Sequence, residues 1–316
     1  MMSFEILEKE FASYIGVKSC AVVNTGTAAL HIALEALELL PQSEVIVPQN
    51  TMVATAWAVH YAGLRPIFVD CCDNLLIDIN KIENKINKNT RVIMLTHVYG
   101  RVVNMSKVVK LAKKYNLRII EDAAEAHGCT HSGKMVGSFD IGCFSFYRNK
   151  IICGEEGGAV VSNDEEFLEK VRDMRSMSFG KEHNYMHKRI GFNYRMTNSQ
   201  AEMILRSLSE VEKNIKIRKN NELLYNSLIN EKYHMPERQV PWVYDVKVDD
   251  NRIVDLLRER GISARYGFKP VGTCAPFNQS AAGTKALKLS KKIMYFPLML
   301  EDKKIIKIVD QFKKIL

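Results

Sequence analysis

Apolar residues recur at helical spacing from Phe4 to Tyr14, and the run Ser19 to Asn24 (SCAVVN) then reads as a short buried strand. The small residues Thr25-Gly26-Thr27-Ala28-Ala29 follow and open an apolar helix predicted to run to about Leu40. The alternation continues. Glu44 to Pro48 is strand-like, Thr51 to Ala62 helical, Pro66 to Asp70 a strand and Asp78 to Ile86 a helix. Arg91 to Thr96 repeats the strand signal, Ser106 to Tyr115 the helix and Leu117 to Glu121 the strand. Such regular alternation argues for an α/β protein whose parallel sheet is covered by helices. Gly157 to Ser162 adds a strand, and the Asn163-Asp164 turn leads into a charged helix that ends near Arg175.

From Met196 the pattern changes to one long amphipathic, heavily charged helix, Asn198 to about Leu228. Beyond Pro236 come a strand from Trp242 to Val248, a helix from Asn251 to Arg260, a break at Gly261 and a final helix from Asp302 to Leu316. These make a compact αβ lobe. The expected division is a large domain over 1–215 and a small C-terminal domain over 216–316, with neither internal repeats nor a low-complexity linker.

A chain of 316 residues with 47% hydrophobic content can bury one large core and a smaller second one. No run approaches the roughly 20 apolar residues of a membrane span, and MMSFEILEKEF lacks the basic-then-apolar layout of a secretory signal. A cytoplasmic protein without membrane partners is therefore expected. The seven cysteines are odd in number and scattered, and the adjacent Cys71-Cys72 has no matching pair or histidine cluster, so reduced thiols and no metal site are expected. The net charge of +9 is spread along helices and the C-terminal tail. It suits an enzyme of phosphorylated substrates as well as a nucleic-acid binder, but no helix-turn-helix or aromatic-basic ribbon supports a nucleic-acid partner.

The candidate chemistry gathers at Ser145 to Gly158 (SFYRNKIICGEEGG) and at the acids Glu121-Asp122-Ala123-Ala124-Glu125. Lys150 lies in an apolar, glycine-rich run, and a lysine held out of water has a lowered pKa and a nucleophilic amine. Asp122 follows a strand, where open α/β sheets place ligands. On composition alone Lys150 also suits a surface loop. Thr25 to Ala29, at a helix start, forms either an anion site or an ordinary capped N-terminus.

The ordered segments NTGTAALHIAL (24–34), VIVPQNTMVATAWAVHYAGLRPIFVD (45–70), THVYG (96–100), IIEDAAEAHG (119–128), GKMVGSFDIGCFSFYRNK (133–150) and IGFNYRMTNSQAE (190–202) carry a resemblance. GISARYGFKP (261–270) and YFPLM (295–299) add a weaker one. Over nearly its whole length the chain resembles the DegT/DnrJ/EryC1/StrS sugar aminotransferases, which depend on pyridoxal 5'-phosphate. The resemblance implies the aminotransferase fold of type I, a mostly parallel mixed sheet flanked by helices plus a smaller αβ domain. It assigns Lys150 to the lysine that bonds to the cofactor aldehyde and moves a proton, and Asp122 to the acid paired with the pyridine nitrogen. It assigns Gly26, Thr27 and Ala28 to the phosphate turn, with the Ser145 hydroxyl on the same phosphate. Asn193 matches an asparagine that reaches the phosphate from the neighbouring subunit, which implies a homodimer with shared sites. The implied reaction moves nitrogen from L-glutamate through pyridoxamine 5'-phosphate to a nucleotide-linked keto-sugar, with a 4-keto-6-deoxy sugar favoured.

Departures from the family pattern set further expectations. Glu125 stands where many members carry glutamine beside the cofactor's phenolic oxygen. Repulsion there leads one to expect it protonated or turned toward another donor; some glutamate-bearing members resemble perosamine synthases. Met52 occupies the slot of an aromatic ring that stacks on the pyridine, where a thioether can still pack. His127 is read as structural, and Arg195 or Arg265 as contacts for a pyrophosphate. Family members usually carry further residues ahead of the first helix, including a glycine-bearing loop on the substrate side, so either a short form or a rebuilt substrate site is expected. A related class of sugar dehydratases replaces the lysine by histidine, and Lys150 counts against it. The remaining alternative is a sugar-binding or regulatory homologue that has lost catalysis.

Overall fold

The computed structural model describes residues 2–180 and 185–316. Strands β1 (Ser19–Val23), β2 (Glu44–Pro48), β3 (Arg65–Val69), β4 (Thr90–Thr96) and β5 (Arg118–Asp122) follow the hydrophobic pattern to within a residue or two. A small hairpin, β6 (Thr130–His131) and β7 (Lys134–Met135), precedes β8 (Ile141–Ser145) and β9 (Gly158–Ser162). Among the described residues the main sheet has the order β1-β9-β8-β5-β4-β2-β3. From β8 to β3 neighbouring strands are parallel, whereas β9 runs antiparallel to both β8 and β1. The cause is local. Parallel strands need a crossover connection, and the loop between β8 and β9, which carries Lys150, contains no helix to make one.

Alternate strand residues feed opposite faces. Ala21 and Val23 join the core under α2 (Gly26–Glu35), α3 (Val53–Tyr61) and, further along the chain, Leu168 and Val171. Cys20 and Val22 join Leu7 and Phe11 of the first helix, Ser3–Ile15, here α1. Helix α4 (Met105–Tyr115) covers the other half of the sheet with Met105, Val108 and Ala112, and α5 (Glu165–Arg175) supplies Leu168 and Val171.

Three helical expectations are corrected. Helix α2 stops at Glu35 rather than near Leu40, because the chain turns through Glu38 at φ +50° and leaves Leu40 exposed. Residues 78–86 form two short 3₁₀ turns, Ile79–Lys81 and Glu83–Lys85, in place of an α-helix. Of this stretch only Ile82 is fully buried, too little apolar surface to offset its asparagines and lysines. The long helix breaks at Glu210 (φ −103°, ψ 9°) into α6 (Asn198–Ser209) and α7 (Val211–Leu228). After the break α7 begins on the large core through Ile215 and ends, at Tyr225, in the core of the C-terminal lobe.

That lobe pairs β10 (Tyr244–Lys247), β11 (Arg265–Tyr266) and β12 (Ile293–Phe296) in the antiparallel order β10-β12-β11, with α8 (Ile253–Glu259), α9 (Lys285–Leu289) and α10 (Asp302–Lys313) around them. Tyr225 stacks on Tyr244 at 4.5 Å between ring centroids, and Phe296 and Phe312 fill the space behind. No helix among the described residues is long and apolar enough to cross a membrane.

One buried ionic cluster ties the lobe to the main sheet. Asp245 of β10 accepts two hydrogen bonds from Arg101, which follows β4, at 3.0 and 3.1 Å, and a third from Arg238 at 2.7 Å. Burial works against the Asp245 charge, but Arg238 and Arg101 outweigh it and hold the carboxyl below its usual range. Removing that charge strands the buried Arg101 guanidinium and leaves Arg238 with Glu222 alone. Asp245→Asn should therefore lower stability by about 3–5 kcal/mol in urea unfolding, while Asp250→Asn, whose partner Arg252 is exposed, should leave the midpoint in place.

Candidate functional site

Parallel strands end on the same side of a sheet, and β4 and β5 bring Thr96 and Asp122 into register there. The turn after β2 adds Thr51, and the first turn of α3 adds Thr55. Their hydroxyls form a chain: Thr96 Oγ1 to Thr51 Oγ1 at 2.8 Å, Thr51 to Thr55 at 2.8 Å, and Thr55 to Asp122 Oδ2 at 2.7 Å. A carboxylate can only accept, so Thr55 donates to it. Thr55 then accepts from Thr51, and Thr51 from Thr96. The Ala124 N–H donates to the other oxygen at 3.2 Å. Burial raises the Asp122 pKa, while Thr55, the Ala124 N–H and the Lys150 charge oppose the rise.

Lys150 hangs from a turn closed by its own N–H on the Tyr147 carbonyl at 2.8 Å. Its ammonium lies 3.8 Å from the centroid of the Trp242 ring. Burial lowers the amine's pKa, and Arg218 lowers it further, against the pull of Glu125 and Asp122. Arg218 fixes this geometry. Its guanidinium donates to the carbonyls of Trp242 at 2.6 Å, Asn149 at 3.3 Å and Lys150 at 3.4 Å, and Trp242 Nε1 donates to the Asn149 carbonyl at 2.9 Å.

At the opposite wall α2 begins. Thr25 caps it by accepting the Ala28 N–H at 3.1 Å, which leaves the Gly26 and Thr27 N–H groups without intrahelical acceptors. A Cβ at Gly26 would stand 2.7 Å from the Ser145 Cβ, so only glycine lets the end of β8 bring its hydroxyl against these amides.

Asp122, Lys150, Gly26, Thr27, Ser145, Met52 and Glu125 line one cavity of about 470 Å³, together with Trp242, Arg265 and Tyr295 from the C-terminal lobe. Ala28 does not line it, and its amide is already engaged by Thr25. Asn193 is exposed, paired through its backbone with Ser176 and outside the cavity of its own chain. Arg195 hydrogen-bonds Ser176 at 3.4 Å and also lies outside. Glu125 turns to a donor: it accepts the Tyr99 N–H at 3.0 Å, which Tyr99 presents from a left-handed backbone at φ +55°. Burial first, and then Asp122 and Asp245, raise the Glu125 pKa to about 7 against the Lys150 charge and the Tyr99 N–H. His127 is buried against Phe144 and Phe146 with neither ring nitrogen hydrogen-bonded, and burial drives its pKa to about 3. It is neutral packing.

The donor set matches pyridoxal phosphate at three points. Free amides and a hydroxyl at a helix N-terminus suit a phosphate dianion, a buried carboxylate suits a protonated ring nitrogen, and a desolvated amine suits an aldehyde. The described residues contain no cluster of three or more His, Cys, Asp or Glu placed to hold a metal. Sequence reasoning missed the three threonines, Trp242 and Arg218. The threonines stood within quoted motifs, but nothing local marked them as a chain.

The profile of the DegT/DnrJ/EryC1/StrS aminotransferase family matches residues 3–312. A GDP-perosamine synthase of Caulobacter vibrioides is 36% identical over 300 residues, 90% of this chain and 80% of the relative. A UDP-N-acetyl-3-dehydro-alpha-D-glucosamine 3-aminotransferase of Acidithiobacillus ferrooxidans is 43% identical over 204 residues, 64% of this chain and 54% of the relative. Among solved structures, the Helicobacter pylori aminotransferase PseC superposes with a TM-score of 0.92 at 26% identity, covering 99% of this chain and 91% of that one. The chain belongs to the DegT/DnrJ/EryC1/StrS aminotransferase family and is a pyridoxal-phosphate-dependent transaminase.

Proposed function

We propose that the protein moves an amino group from L-glutamate to the keto carbon of a nucleotide-linked sugar in amino-sugar biosynthesis, with a 4-keto-6-deoxy sugar as acceptor. The observation that carries this reading is the Lys150 amine, desolvated on the Trp242 face, sharing its cavity with the Asp122 carboxylate and the start of α2. The near full-length likeness to GDP-perosamine synthase favours the nucleotide-sugar acceptor.

When bound, pyridoxal phosphate supplies an electron-accepting ring and carries nitrogen between donor and acceptor. The chain's own residues divide the remaining work. Lys150 would hold the cofactor aldehyde, and its amine would move a proton at the reacting carbon. Asp122, kept an acceptor by the Thr55 hydroxyl, holds the proton on the ring nitrogen. The Gly26 and Thr27 amides and the Ser145 hydroxyl hold the phosphate, and Asn193 does so from a second copy of the chain, in a cytoplasmic homodimer. Met52 packs on the ring face. Glu125, held by Tyr99 and raised toward neutrality by burial, would in its protonated form donate to the phenolic oxygen. Trp242 excludes water from the lysine.

The purified enzyme should show the visible absorbance of a lysine-bound cofactor. Lys150→Ala should abolish that band and slow turnover by about a thousandfold; full turnover without the lysine would remove it from the mechanism. Incubation with L-glutamate and a panel of dTDP-, UDP- and GDP-linked keto-sugars should release 2-oxoglutarate with at least one acceptor, and silence across the panel would leave the substrate reading unsupported. The Glu125 carboxyl stands at about 7 in the folded chain against 4.5 without the fold, so folding takes up a proton between those values. The stability this contributes is complete below 4.5 and lost as the pH rises through about 7, by up to about 3 kcal/mol. Buried His127, held near 3, contributes a rise with pH below its free value of 6.5, so the decline is read as a difference. In urea unfolding of the cofactor-free protein from about pH 5 to about pH 8, the parent chain should lose stability relative to Glu125→Gln as the pH rises.

A further inference from the structure

The net charge of +9 is not shared evenly along the chain. Residues 216–316 carry 20 Lys and Arg against 11 Asp and Glu, whereas residues 1–215 carry 25 of each, so the C-terminal part holds the whole excess. Some of its cations have partners. Arg238 is clamped between Asp245 and Glu222, Arg252 faces Asp250, and Lys285 faces Asp73.

The lysines of the last helix do not. Helix α10 buries Ile305, Ile308, Val309 and Phe312 in the core of the lobe. On its outer side Lys303, Lys307, Asp310 and Lys314 fall at i, i+4, i+7 and i+11, a single stripe along an α-helix. Lys304 and Lys313 flank the stripe, and all five lysines are exposed. Among the described residues Lys81, Lys114, Lys170, Lys213 and Lys285 each meet a carboxylate, and none of the five on α10 does. Asp310 is the one acid on the stripe; Glu301 and Asp302 stand at the helix start, where they complement its dipole.

The flanks of the stripe are apolar. Ile306, on one side, is 44% exposed. On the other, Gln311 accepts a hydrogen bond from Arg260 at the end of α8 at 3.5 Å, and Leu256, one turn earlier on α8, is 47% exposed. A lysine ammonium is a compact point charge suited to a diffuse anionic surface, whereas bidentate reading of a phosphate or base edge falls to arginine. No aromatic side chain of the described C-terminal residues is exposed to stack a nucleobase. Cations interleaved with half-exposed aliphatic groups on one helix face match an anionic bilayer instead.

We propose that the outer face of α10 docks on an anionic phospholipid bilayer, with its lysines among the headgroups and Ile306 and Leu256 at the edge of the acyl region. Such a contact needs no spanning segment, and the lack of one, which led to the expectation of no membrane partner, does not bear on it. The contact is independent of which sugar the enzyme accepts. It also holds the site at a fixed distance from the bilayer. Asn221 Nδ2 donates to the carbonyls of Leu298 at 2.6 Å and Leu300 at 2.8 Å, just ahead of α10, and residues 297–299 line a cavity of about 770 Å³ that meets the first one at Lys150.

The test is co-sedimentation of the full chain with vesicles of phosphatidylcholine containing about a third phosphatidylglycerol, against vesicles of phosphatidylcholine alone. The chain should pellet with the anionic vesicles at about 50 mM salt and stay in solution with the neutral ones. It should be released at about 500 mM salt, where the screening length falls to about 4 Å. Each lysine at such a surface is worth about fivefold, so Lys303→Gln, Lys307→Gln and Lys314→Gln together should weaken partition about a hundredfold. Lys85→Gln, Lys88→Gln and Lys110→Gln remove the same charge from exposed positions of the large domain and should leave partition unchanged. Ile306→Ser alters no charge and should weaken it about fivefold. The lipid and salt dependence of the parent chain decides the matter should the α10 variant misfold. Equal pelleting with both kinds of vesicle, full partition of the α10 triple variant, an equal loss in the large-domain variant, or tighter binding to a DNA duplex than to the anionic vesicles at the same salt would each overturn the assignment.

Discussion

A single half-buried amine, where two cavities meet, sets the terms for the rest of the molecule. Lys150 rests on an indole face, and such a contact is worth about 2 kcal/mol when desolvated. Burying an unpaired ammonium costs several kcal/mol, so the ring alone cannot hold the charge. Glu125 and Asp122 offset part of that cost, and Arg218 adds to it. The balance moves the amine toward its neutral, nucleophilic form. Burial likewise raises Glu125 toward neutrality, against the Lys150 charge that favours its ionised form.

Holding that balance needs rigidity at a place where the chain has no regular structure. The lysine turn is a loop between two antiparallel strands, and the fold stiffens it from outside. Arg218 takes three carbonyls across two segments, and Trp242 returns a hydrogen bond to Asn149. Asp245, clamped between Arg101 and Arg238, fixes the segment from which Trp242 projects. The C-terminal lobe is therefore part of the site: without residues beyond 240 the lysine has neither its aromatic face nor its lid.

Asp122 is controlled by other means. Its acceptor role is imposed by hydroxyl groups that start at Thr96 on the neighbouring strand, each donating to the next until the last meets the carboxylate. Neutral hydroxyls lower the cost of a buried charge without adding a competing cation. The carboxylate thus keeps its charge free of a directly bound cation, which is what the proposed pairing with a ring nitrogen requires.

Much of the sheet was legible from sequence because strand and helix periodicity is a local property. The runs ending at Val23, Pro48, Thr96 and Asp122 each carry their own burial pattern. Lys150, Asp122, Gly26 and Ser145 were singled out by the family resemblance of the short motifs that hold them, and the fold brings all four to one cavity. What failed locally failed for want of context: residues 78–86 have helical spacing but almost nothing to bury, and Glu210 breaks a helix so that its two halves can serve different cores. The partners that tune the site were invisible, because Trp242, Arg218 and Thr55 act on residues tens of positions away along the chain. The sequence by itself determined which groups could do chemistry; the tertiary structure decided their proton affinities, because those depend on the distance between charges and on the water excluded around them, and both are properties of the packed chain.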